Sequence, residues 1–162
     1  MPRNVQRNSI HVEHVRIICD RSYEVVLSAL RASTPKLEPA LAEDLRASRT
    51  EAIANHRAHG PKLWLFESRD HGSLLRAEGR AEKAVQLEIG NPLTAESMTR
   101  HQLGAALYAP LRVLLYEDGN GKAVFEYDLP SCFFGQFGDP RVTAVGLELD
   151  RELEAILLAA DG

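Results

Sequence analysis

Apolar residues recur along the chain in two periods, and each change of period marks an element. Over 10–19 the β-branched Val12, Val15, Ile17 and Ile18 predict a strand that ends at Asp20. Tyr23, Val26, Leu27 and Leu30 then fall at i, i+3, i+4 and i+7. That is one stripe of a helix, whose free N–H groups Asp20 or Ser22 can cap. Ser33, Thr34 and Pro35 break it. Leu41, Leu45 and Ile53, set among Glu43, Asp44, Arg46, Arg49 and Glu51, predict a second helix on the surface, finished by Ala58-His59-Gly60-Pro61. Residues 63–66 (Leu-Trp-Leu-Phe) are apolar on both faces, as in a strand covered on each side. A turn at Asp70-His71-Gly72 leads to a short partner strand over 73–77.

In the second half, Val85, Leu87 and Ile89 alternate with Gln86 and Glu88, giving a strand with one dry and one wet face. Gly90-Asn91-Pro92 stops it. Thr94 can cap a helix to about Leu107, with Met98, Leu103, Ala106 and Leu107 as its apolar residues. Ala109-Pro110 ends that helix, because proline disfavours a helical residue before it. Residues 111–117 and 122–128 read as strands around Asp118-Gly119-Asn120-Gly121, where Asn and Gly accept the positive φ of a hairpin turn. A loop carrying Phe133, Phe134 and Phe137 follows. Asp139-Pro140 then opens a last helix, a capping carboxylate ahead of Pro at the first helical position. Its inner stripe is Val142, Val145, Leu149, Leu153, Ile156 and Leu157, to about Ala160. This order predicts the α+β class, with helices packed on one face of a mostly antiparallel sheet of about five to six strands. An arm over 1–9 and a single domain over 10–162 complete the expected organisation.

Composition removes classes of function rather than choosing one. At 162 residues, 44% hydrophobic and 26% charged, the chain suits one globular domain that needs no metal or disulfide to fold. A net charge of -4 argues against a nucleic-acid partner, whose phosphates reward Lys and Arg. Wet faces carrying Gln86, Glu88, Glu117, Glu126 and Asp128 point the same way. No apolar run approaches the roughly 20 residues of a membrane helix, so no membrane partner is expected. The polar N-terminus lacks the apolar stretch of a signal peptide. Cys19 and Cys132 then read as free thiols in a reducing, cytoplasmic setting.

Residues 87–131, followed by Gly-Gln-Phe-Gly-Asp-Pro-Arg-Val at 135–142, carry a specific order of motifs. These are Glu-Ile-Gly-Asn-Pro at 88–92, Met-Thr-Arg-His at 98–101, the run at 105–118, and Phe-Glu-Tyr-Asp-Leu-Pro-Ser at 125–131. In this order they resemble domain-of-unknown-function family 302, over roughly residues 10–160 and weakly over 35–58. The resemblance implies a TATA-binding-protein-like or helix-grip-like fold, with a curved sheet around the long C-terminal helix, and a homodimer. It brings no settled activity and leaves the cofactor unknown. The charged helix around 43–57 looks like an expansion relative to shorter members.

The candidate chemistry is sparse. His56 and His59, with His71, lack a zinc signature, and His11 and His14 alternate faces on one strand. Ser131 and Cys132 have no nucleophile motif around them, and no glycine-rich phosphate loop occurs. No catalytic residue and no metal ligand is therefore named. Arg112, mid-strand, is expected to pair with Glu88, Glu126 or Asp128 if its face is buried. A small ligand held between sheet and helix is the leading reading, with Asn91, His101, Tyr108, Arg112 and Tyr127 as its contacts. One alternative is an enzyme acting on a small anionic substrate through His101 and Arg112. Another is a protein–protein interaction module using the charged helix or the Phe loop, which reads as a lid on the core or a dimer contact.

Overall fold

In the computed structural model, which describes residues 4–162, residues 4–13 precede any helix or strand. The first three residues of the expected arm lie outside the described ones. Strand β1 (His14–Ile18) leads into α1 (Tyr23–Ser33). Neither Asp20 nor Ser22 caps α1 through its side chain. Instead the carboxylate of Asp161, at the far end of the chain, accepts the Asp20 and Arg21 N–H groups at 2.9 and 3.0 Å. The surface helix splits into α2 (Pro39–Arg46) and α3 (Thr50–His59). Leu41 is the one buried residue in α2 and none is buried in α3, so no apolar stripe holds the two in line. Arg49 closes the break by donating to Asp44 and Glu43.

Strand β2 (Trp64–Asp70) runs antiparallel to β3 (Ala84–Gly90), with a bulge between Leu65 and Glu67. The partner strand expected over 73–77 is a short helix, α4 (Gly72–Ala77). Leu74, Leu75, Arg76 and Ala77 are good helix formers without β-branching, and Asp70 fixes the start by accepting the Ser73 N–H at 3.0 Å. The helix after Gly90 is also shorter than expected. α5 (Pro92–Thr99) is capped by Asn91, whose Oδ1 accepts the Leu93 N–H at 2.8 Å, and a separate 3-10 turn covers Leu103–Tyr108. Strands β4 (Leu111–Glu117) and β5 (Ala123–Asp128) form the expected hairpin. Its turn is closed by Asp118, whose carboxylate accepts the Asn120 and Lys122 N–H groups, with Gly121 at φ 77. The Phe-rich loop contains a helix, α6 (Pro130–Gly135), and Asp139 caps α7 (Pro140–Asp161) through the Arg141 N–H.

The strands form one open antiparallel sheet in the order β1-β5-β4-β3-β2. One face lies under α1 and α7, and its core includes Leu87, Val113, Leu115 and Phe125, all fully buried. α7 offers Val142, Gly146, Leu149, Leu153, Leu157 and Ala160 to this core, close to the stripe read from the sequence. Glu117 does not share the wet face with Gln86. Strand alternation puts it with Leu115 on the helix side, where it accepts a bond from Lys83 at 2.9 Å.

Candidate functional site

The opposite face of the sheet carries polar residues in matched rows. The register sets His14 beside Asp128, Arg16 beside Glu126, and Glu88 beside Arg112. Most of these charges are committed to one another. Asp128 holds His14 at 2.8 Å, and Glu126 accepts from the Tyr116 hydroxyl at 2.8 Å and faces Arg16 at 3.4 Å. Glu88 is bound by Arg69. All three carboxylates expected to pair with Arg112 are therefore engaged elsewhere. Among the described residues, Arg112 has no ion-pair or hydrogen-bond partner. The reason is exposure: a guanidinium in water needs no carboxylate, and the buried-pair argument does not apply.

Arg112 lies in a trough of about 650 Å³ on this face. Gln86, Glu88 and Leu114 share the floor, and His14, Glu126 and Asp128 form the far side. The wall is apolar and comes from residues 107–111 with Phe133. Tyr108 fixes that wall by stacking on Phe133, with centroids 5.0 Å apart and planes 17° apart. It also meets Phe134 and Phe137 edge-on at 6.4 Å. Phe134 is fully buried, and Phe137 packs under the 3-10 turn, where a side chain at Gly104 would come within 2.9 Å of its ring. The Phe segment is thus largely a lid on the core, and Phe133 is its contribution to the trough.

Three of the five residues named from the sequence border this trough: Tyr108, Arg112 and Tyr127. The Tyr127 ring belongs to the core at 3% exposure. Its hydroxyl has no partner among the described residues, and burial pushes its pKa up to about 12. Asn91 lies elsewhere, engaged as the cap of α5 and donating to the Lys62 carbonyl at 3.0 Å. His101 follows α5, with its N–H bonded to the Met98 carbonyl, and it borders neither the trough nor the cleft that Met98 lines. The sequence offers His14 no partner, since its neighbour His11 alternates to the other face. Antiparallel pairing with β5 is what brings it to Asp128, whose hydrogen bond raises its pKa. Cys19 is fully buried, and burial pushes its thiol up to about 11, so it is protonated at neutral pH. Among the described residues, no three His, Cys, Asp or Glu side chains gather as a metal-ligand set, and no helix is long and apolar enough to cross a membrane.

The model of the family described as domain of unknown function DUF302 matches residues 39–160, a span that takes in α2 and α3. Among solved structures, the chain is similar to the crystal structure of an uncharacterized conserved DUF302 protein from Bacillus stearothermophilus. The two are 16% identical with a TM-score of 0.65, over 91% of this chain and 97% of that one. At that identity the likeness concerns the fold. No curated protein matches the chain in sequence.

Proposed function

Since the chain belongs to the DUF302 family, whose description assigns no function, we propose one from its own geometry: residues 10–162 act as a single small-ligand-binding domain that recognises an anion with Arg112. The observation that carries this reading is an unpaired guanidinium in a trough whose carboxylates are already engaged. Arg offers a planar fork that suits a carboxylate or phosphate. Tyr108 and Phe133 supply the apolar wall against which the body of such a ligand would lie. This site lies on the open face of the sheet rather than between sheet and long helix. Acid–base chemistry shared by His101 and Arg112 lacks a common cavity, which favours binding over catalysis. The two free thiols support a cytoplasmic, reducing setting.

The test is a thermal-shift titration with inorganic phosphate and succinate. A ligand at a hundredfold its Kd adds about 2.7 kcal/mol of stability, a readily measured shift. Stabilisation by one of these anions that is lost in Arg112→Ala is the expected result. No stabilisation by either, or stabilisation retained in Arg112→Ala, overturns the reading.

Self-association is a second reading, supported by Leu103 and Leu107 on the 3-10 turn, 83% and 79% exposed, the second of them bordering the trough. Two such leucines on one short turn are a natural contact for a second copy. Light scattering should return twice the 18.0 kDa chain mass, and Leu103→Asp with Leu107→Asp should halve it. A mass of one chain at micromolar concentration rules the homodimer out.

A further inference from the structure

A second concavity, of about 300 Å³, opens between the end of the sheet and the helices on its covered side. Its walls are apolar: Phe66, Met98, Pro110, Leu111, Phe134 and Leu149. Met98, Phe134 and Leu149 are at most 3% exposed, so the cleft is a place where the core stops short of closing. Gly90 lines it as well. Its φ is not positive, so the backbone does not demand a glycine. A Cβ there would lie 3.4 Å from Pro110 and 3.7 Å from Phe66, and its absence leaves that room to the cleft.

The mouth is charged. Glu96 lines it and holds Arg100 through bonds of 2.6 and 3.0 Å. Arg57 reaches the same carboxylate at only 3.4 Å, with its side chain half exposed. Beyond the mouth, a vestibule of about 150 Å³ shares Asn91, Thr94 and Leu149 with the cleft and includes Arg57 and Lys62. Lys62 is taken by Glu152 at 2.7 Å and also feels Glu148. Arg57 is therefore the loosely held cation beside an apolar cavity.

We propose that this cleft is a second ligand site, taking a small monocarboxylate with an apolar body. The tail lies against Met98 and Phe134, and the carboxylate meets Arg57 at the mouth. At roughly 30 Å³ for each water-sized group, the cleft has room for about ten non-hydrogen atoms, the size of octanoate. That is the lower end of the range for small-molecule pockets. Residues 109–111 border both this cleft and the trough but separate their chemistry, one apolar and one charged.

The chain has two methionines, Met1 and Met98, so a methyl-labelled sample reports the cleft through one resonance. Octanoate is expected to shift the Met98 methyl signal saturably, and octanol to bind at least tenfold more weakly. Arg57→Ala should bring octanoate down to the level of octanol. Ala95→Leu, which fills the cleft from α5, should abolish both responses. If Ala95→Leu fails to fold, Gly90→Ala narrows the same cleft by one methyl and should weaken octanoate. Phosphate should leave the Met98 signal in place, which distinguishes this site from the trough. A Met98 signal unmoved by octanoate, octanoate affinity unchanged in the filling variants, or octanol binding as tightly as octanoate overturns the proposal.

Discussion

His14 and Arg112 face solvent on the same sheet surface, yet only one of them has found a partner. The difference lies in what stands opposite. His14 meets Asp128 across an antiparallel pair, whereas the carboxylate opposite Arg112, Glu88, is already bound by Arg69. The hydrogen bond to Asp128 raises the His14 pKa above its ordinary 6.5. A raised folded value means that the pair's contribution is fully present below about 6.5 and is lost as pH rises through the raised value. The pair is exposed, so its effect on global stability is small. An NMR titration should find the His14 midpoint above 6.5, and Asp128→Asn should bring it back down. An unchanged midpoint would show that the raising comes from elsewhere. The sequence displayed both residues but not their pairing, because the partner of His14 is 114 positions away.

Among elements, those with a strong local signal were legible. Asp139-Pro140 announces α7, and Asp118-Gly119-Asn120-Gly121 announces the hairpin, because caps and turns are made by neighbours in sequence. The short helices were harder. α4 and α6 are six residues each, too short for a 3.6-residue period to repeat, so the first reads as a strand in the sequence and the second as a loop. Contact between elements was invisible in the same way. Gly146 looks like an unfavourable residue in a helix, but a Cβ there would lie 3.0 Å from the Ser131 Cα and 3.1 Å from the Phe134 Cβ. The glycine lets α7 approach α6. Gly146→Val should therefore destabilise the protein by about 1–3 kcal/mol, the usual cost of overpacking, despite its gain in helix propensity. Thermal melting tests this, and an unchanged or higher Tm would mean that α6 gives way without cost.

For the whole molecule, one core joins the sheet to α1 and α7, and Phe125 sits in it at 0% exposure. Phe125→Ala should cost about 3–5 kcal/mol, with a cavity left between sheet and helices. Chemical denaturation measures it, and a loss below about 1 kcal/mol would place Phe125 outside the cooperative core. The pattern of apolar, polar and turn residues was enough to give the α+β class, the hairpin and the inner stripe of α7, and the family was legible through a resemblance carried by short motifs. Those properties depend on residues close in the chain, where periodicity and turn chemistry act directly. The candidate sites depend on other things: which face of the sheet stays open, which carboxylates are already engaged, and where helices stop short of closing the core. Each of these is set by contacts between residues far apart in sequence. Tyr108, Arg112 and Tyr127 came together at one trough, while His101, closer to Tyr108 in the chain than Tyr127 is to Arg112, lies outside it, as does Asn91. Strand pairing and helix packing fix that grouping, and local order along the chain does not carry it.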